Sequence, residues 1–179
     1  MSIAKTVFRA LVAGAIAITI NILLLNLCDF LGIVTARGGL QRLVRLWLGG
    51  PMTQIGVSEL WAALGLPGPD TNIFRTGFKV TVGLGMALFY AFVVEALIRG
   101  TMLKALAYAL FVWVLNAFVV LPLLGEGIAG TRVLTAFGMV CFAIAHTAFF
   151  IILAYVYAAL QATPKRPALA RAEIKRAGS

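Results

Sequence analysis

The chain has 179 residues, 62% of them hydrophobic and 12% charged, and its mean hydropathy of +1.02 excludes a soluble domain. About 20 apolar residues cross a bilayer, so this length holds four spans, one long connection and a tail, and leaves no room for a second folded domain. The formal charge of +9 falls in the gaps between apolar runs; it is not gathered on one face, which excludes nucleic acid as a partner and assigns the cations to topology and anionic headgroups.

The first apolar run extends from about Val7 to Val34, with Lys5 before it and Arg9 at its start. It is longer than the 7 to 15 residues of a signal-peptide core and lacks a small-x-small cleavage site with a polar residue after it, so it reads as an uncleaved first span. Its second half carries Asn21, Asn26 and Asp29, polar side chains that must face protein or water instead of lipid. Asn21 and Asn26 stand about 140° apart around a helix, whereas Asn26 and Asp29, three apart, share a face.

A long connection follows, with an interfacial segment over 38–66. In RGGLQRLVRLWLGGP, Leu40, Leu43, Val44 and Trp47 fall on one face and Gln41, Arg42 and Arg45 on the other, the spacing of an amphipathic helix. At about ten residues it is too short to span, and GGP at Gly49 to Pro51 is expected to stop it. Arginines opposite a tryptophan suit the headgroup boundary, which makes Arg42, Arg45 and Trp47 candidates for interfacial or partner docking. A second short helix is expected from Ser58, with Ser58 as its N-cap, and LPGPDTN over Leu66 to Asn72 is turn chemistry. Besides a connection lying on the bilayer, a lid or docking surface fits the pair.

The second span is expected over about 76–98, with Gly83, Gly85, Ala87 and Ala91 allowing close helix approach. Glu95 sits near its end, where Arg99 at i+4 could neutralise it. The third span covers about 103–124, with Asn116 near its middle and Pro122 near its end. The short connection GEGIAGTR makes spans three and four antiparallel neighbours. The fourth covers about 133–160, with Tyr155 and Tyr157 as interface anchors. The four spans make one domain, 1–163, and 164–179 is a basic tail. The fold class is all-α, an integral membrane bundle of four transmembrane helices with one or two interfacial helices between spans one and two.

An even number of spans puts both termini on one side. Nine Lys and Arg fall there (Lys5, Arg9, Arg99, Lys104 and five in the tail) against six on the other side (Arg37, Arg42, Arg45, Arg75, Lys79 and Arg132). This asymmetry places both termini of the multi-pass chain in the cytoplasm.

The stretch FVVLPLLGEG at the end of span three, then a short loop and a span with a central histidine, resembles the YagU-like group of small four-span bacterial inner-membrane proteins. The matching residues are Leu121, Pro122, Leu123, Gly125 and His146, with Glu95 in a similar place at the end of span two. Asn116 stands where those relatives often carry another histidine. The resemblance implies a membrane location and little chemistry, since members of the group are largely of unknown function.

No HExxH, GxSxG or Walker loop occurs, and Cys28 and Cys141 lie in different apolar runs without metal-site spacing. No catalytic or metal residue is therefore expected, and the chain reads as not an enzyme. The polar intramembrane candidates are His146, Asn116, Glu95, Thr147, Asn26 and Asp29. His146 is the single histidine and lies in CFAIAHTAFF, where an ionisable group needs a partner. Three roles are open to it. It could hydrogen-bond Asn116, Thr147 or a backbone carbonyl and lock spans three and four; it could ligate a haem or chlorin, although no cofactor is expected; or, with Glu95 and Asn116, it could line a polar path. Small size, glycine and alanine faces and the amphipathic connection point first to an accessory or scaffold subunit, partnered by other membrane-protein subunits or by itself. A homo-oligomeric channel or transporter is the alternative, and a haem- or chlorin-binding protein the third.

Overall fold

Ile3–Phe30 forms one helix, α1, because the run is rich in alanine and leucine and contains no proline. In the computed structural model, residues 2–35 and 38–162 are described; Arg37 and the basic tail expected over 164–179 lie outside the described residues. The first span ends at Phe30, short of the expected Val34. Gly32 takes φ +72°, Ile33 N–H reaches Cys28 O at 2.8 Å and Gly32 N–H reaches Asp29 O at 3.0 Å, a Schellman closure that releases the chain from the helix.

The connection is helical over Gly39–Gln54 (α2) and Val57–Ala63 (α3). Gly49, Gly50 and Pro51 do not stop α2, contrary to expectation. Proline removes one donor but keeps a helical φ, and its usual clash with the preceding Cβ is absent because Gly50 has none. The ladder resumes at once, with Ile55 N–H on Pro51 O at 3.1 Å. The actual stop is Gly56, at φ +75°, which also serves as the N-cap of α3. Ser58 therefore lies inside the first turn, its hydroxyl 3.1 Å from that of Thr53, and does not cap. The expected turn over 66–72 leads into Thr71, whose Oγ1 accepts the Phe74 N–H at 3.2 Å.

Asn72–Leu97 forms α4, Thr101–Leu123 forms α5 and Ala136–Gln161 forms α6, the last capped by Thr135, whose hydroxyl accepts from Gly138 N–H. With α1 these are four helices long and apolar enough to cross a membrane, and no strand occurs among the described residues. The chain is thus a polytopic, all-α membrane protein. Two spans depart from α geometry, with π-turns at Tyr90–Val94 in α4 and Asn116–Val120 in α5.

Helix α1 packs against α4 and α6, and α6 packs against α5 as its antiparallel neighbour. The buried stripe of α1 includes Ala10, Ala13, Gly14, Ala17, Ile18 and Asn21, recurring at three and four residues. A side chain on Gly14 would place its Cβ 2.6 Å from that of Ala87, and one on Gly83 would come within 2.8 Å of Ile18. Gly83, Ala87 and Ala91 are buried, as close helix approach requires, while Gly85 faces outward. Near the termini the core is aromatic: Tyr90, Tyr157, Phe150 and Leu153 are fully buried, and Tyr108 meets Phe150 edge-on with centroids 4.6 Å apart.

Two expected surface features are placed differently. Tyr157 is 1% exposed and Tyr155 50%, because residues two apart on a helix point to nearly opposite sides; Tyr157 is core and only Tyr155 can anchor at an interface. Glu95 pairs with Lys104 Nζ at 2.7 Å, not with Arg99. Helix α4 ends at Leu97, so Arg99 is no longer on the helical face that the i+4 argument assumes, whereas Lys104 in the first turns of α5 is.

Gly14→Val should lower stability by about 1–3 kcal/mol through overpacking, while Gly85→Ala, with nothing within 4 Å of the added Cβ, should leave the melting temperature in detergent unchanged. Equal melting of the two variants would refute the close α1–α4 contact.

Candidate functional site

Counting helix residues at about 1.5 Å each from the end of each span nearest the long connection gives the depth of its polar groups. Lys79 lies seven residues inside α4 and Asn116 seven inside α5, about 10 Å deep; Asn21 is nine inside α1 and His146 ten inside α6, about 14–15 Å deep. Four polar side chains from four helices therefore meet at one level, between the interface and the middle of a bilayer. They line a cavity of about 130 Å³, well above the ~10–15 Å³ that one water needs.

Local geometry explains how each side chain is held. Gly83, beside Ile18, brings the backbones of α1 and α4 together and both residues form part of the wall. Asn21 Nδ2 donates to the Ala145 carbonyl at 2.9 Å, tying α1 to α6 one residue before His146. His146 Nδ1 lies 3.1 Å from Phe142 O. A carbonyl can only accept, so Nδ1 carries the proton and, in the neutral ring, Nε2 is left as an acceptor. This bond is internal to α6 and does not lock spans three and four. Asn116 opens the π-turn of α5; it borders this cavity and a smaller one of about 20 Å³ beside Trp113 and Met139. The side chains of Asn116 and Lys79 make no hydrogen bond or ion pair among the described residues.

The start of α2 roofs the cavity with Gly39, Leu40 and Gln41. Gly39 is buried, and a Cβ there would touch Leu121, Val120 and Leu124 at 3.5–3.8 Å. Gln41 Nε2 donates to Pro69 O at 3.0 Å. Arg42 forms an ion pair with Glu126, and Arg45 with Asp70. The Glu126 side chain is 7% exposed and its Oε2 is buried without a hydrogen-bond partner, so its charge rests largely on Arg42. The two arginines expected to dock on headgroups or partners are thus engaged within the chain, whereas Trp47 is 60% exposed and remains available.

The cavity unites some of the expected site residues and separates others. His146 and Asn116 share its wall. Glu95 does not: it lies two residues from the opposite end of α4, beyond the aromatic core. Asn26 and Asp29 are exposed near the end of α1, and Thr147 is half-buried outside the wall. Lys79 and Gln41 were read as connection residues and belong to the site. The available signal for Lys79 was its position two helical turns beyond the cap at Thr71, within an apolar run. No group of three His, Cys, Asp or Glu side chains that could hold a metal occurs among the described residues. The wall combines one cation, amide groups, one imidazole acceptor and apolar surface, which is equipment for binding. Comparison with protein-family models, curated proteins and solved structures returns no match.

Arg42→Gln should loosen the roof by about 1–3 kcal/mol, because it leaves a buried carboxylate unpaired, and Glu126→Gln in the same chain should restore most of that loss. Amide exchange over Gly39–Gln54 measures it; unchanged protection in Arg42→Gln would show that the pair does not hold α2.

Proposed function

We propose that the chain is a non-enzymatic protein of the bacterial inner membrane, with both termini in the cytoplasm, that holds a small amphipathic molecule in the cavity beneath α2. One observation carries this reading. Lys79, Asn116 and His146 line a common cavity at membrane depth, and the Lys79 and Asn116 side chains and His146 Nε2 make no hydrogen bond among the described residues; polar groups there are costly unless something satisfies them. The resemblance to YagU-like proteins belongs to the same proposal and adds only location.

An accessory role in a larger assembly has its own support. Gly77, Thr81 and Gly85 lie four apart on the exposed side of α4, and nothing lies within 4 Å of a Cβ at either glycine; such small-residue faces let helices dock in lipid. A polar path through Glu95, Asn116 and His146 finds less support, since Tyr90, Tyr157, Phe150 and Leu153 fill the core between. For haem or chlorin no observation beyond the single imidazole of His146 speaks, and an absorption spectrum of the extracted protein should show no Soret or chlorin band.

Native mass spectrometry of protein extracted in mild detergent should detect a bound small molecule, and Val82→Trp, which fills the cavity from α4, should reduce its occupancy about tenfold. Extraction of folded protein that never carries an adduct would refute the binding role. Gly85→Leu should abolish any copurifying membrane subunit while leaving the adduct in place.

A further inference from the structure

The chemistry of the wall is specific enough to name a ligand class, on the reading that the cavity binds an amphiphile. Lys79 is its one cation, within electrostatic reach of His146, and no carboxylate lines the cavity. Two acids at this end of the fold are engaged elsewhere: Glu126 faces Arg42, and Asp70 faces Arg45. An uncompensated ammonium at this depth favours an anion. Asn116 can donate to the same anion through its amide, while Asn21 has committed one amide proton to Ala145 O.

His146 adds a second requirement. With its Nδ1 proton directed at Phe142 O, Nε2 presents a lone pair, which repels a bare anionic oxygen and accepts from an O–H. A ligand that satisfies all three groups offers anionic oxygens to Lys79 and Asn116 and one hydroxyl to His146. An ionised fatty acid has the first and lacks the second, and a neutral monoglyceride has the second and lacks the first. A phosphate monoester with a neighbouring hydroxyl, or with one oxygen still protonated, has both. The rest of the wall is apolar, with Leu25, Phe78, Val82 and Met86 beside the polar level, and accommodates the start of a hydrocarbon chain. We infer that the cavity is a binding site for a single-chain phosphate monoester amphiphile, its headgroup on Lys79 and Asn116 and its hydroxyl on His146 Nε2.

The test is equilibrium titration of the full chain, purified in a neutral maltoside, with four probes: 1-oleoyl-glycerol 3-phosphate, oleate, monoolein and inorganic phosphate. The phosphate amphiphile should bind at least tenfold more tightly than oleate or monoolein. Lys79→Gln should lose about tenfold of that affinity, the worth of one charge-assisted hydrogen bond. Lys79→Arg should retain it, which separates lost charge from lost folding, and Arg75→Gln, an exposed cation one turn outward, should leave it unchanged. Phosphate alone binding as tightly as the amphiphile would identify a free anion as the source and overturn the lipid assignment. Monoolein binding equally well, together with unchanged affinity in Lys79→Gln, would overturn the anionic class and leave the cavity reading intact; no binding of any amphiphile would overturn both.

Discussion

Close approach of α1 and α4 is the contact on which the rest of the bundle depends. In lipid there is little hydrophobic drive between helices, so association relies on packing and on interhelical polar contacts. Gly14 against Ala87 and Gly83 against Ile18 remove the side chains that would hold the two backbones apart. With that spacing set, Asn21 of α1 reaches the carbonyl of Ala145 on α6, and one further residue along α6 brings His146 to the wall.

The two halves of the bundle then take different characters from one packing scheme. Toward the termini, Tyr90, Tyr108, Phe150 and Tyr157 interlock as a dry aromatic core, sealed at its edge by the Glu95–Lys104 pair. Toward the connection, alanine and glycine give way to Asn, Lys and His, and α2 completes the enclosure. The roof is held by polar contacts at its rim, whereas the spans are held by close packing.

Much of this was legible in the sequence. Four long apolar runs separated by cations define four spans, because a bilayer requires that length of uncharged helix. Amphipathic spacing at Leu40, Leu43, Val44 and Trp47 marked α2, and the small residues Gly83, Ala87 and Ala91 marked the packed face of α4. His146 and Asn116 stood out as polar groups inside apolar runs, and the structure places both on one wall. The reading of GGP as a helix stop failed because Gly50 relieves the clash that usually makes proline a breaker. The Glu95–Arg99 pair failed because it assumed a helix that ends at Leu97.

What the sequence by itself determined is the membrane class, the number of spans and the residues too polar for lipid, since each follows from length, hydropathy or local spacing. Tertiary structure alone decided which polar residues share a site. Lys79 and Gln41 join His146 because α4 and α2 bring them there across the fold, and Glu95 is excluded because it sits at the other end of its helix. The π-turns at Tyr90–Val94 and Asn116–Val120 shift the rotational phase of two spans in their second halves. A periodicity that assumes 3.6 residues per turn cannot register such a shift, so the direction in which Asn116 points was settled by packing and not by pattern.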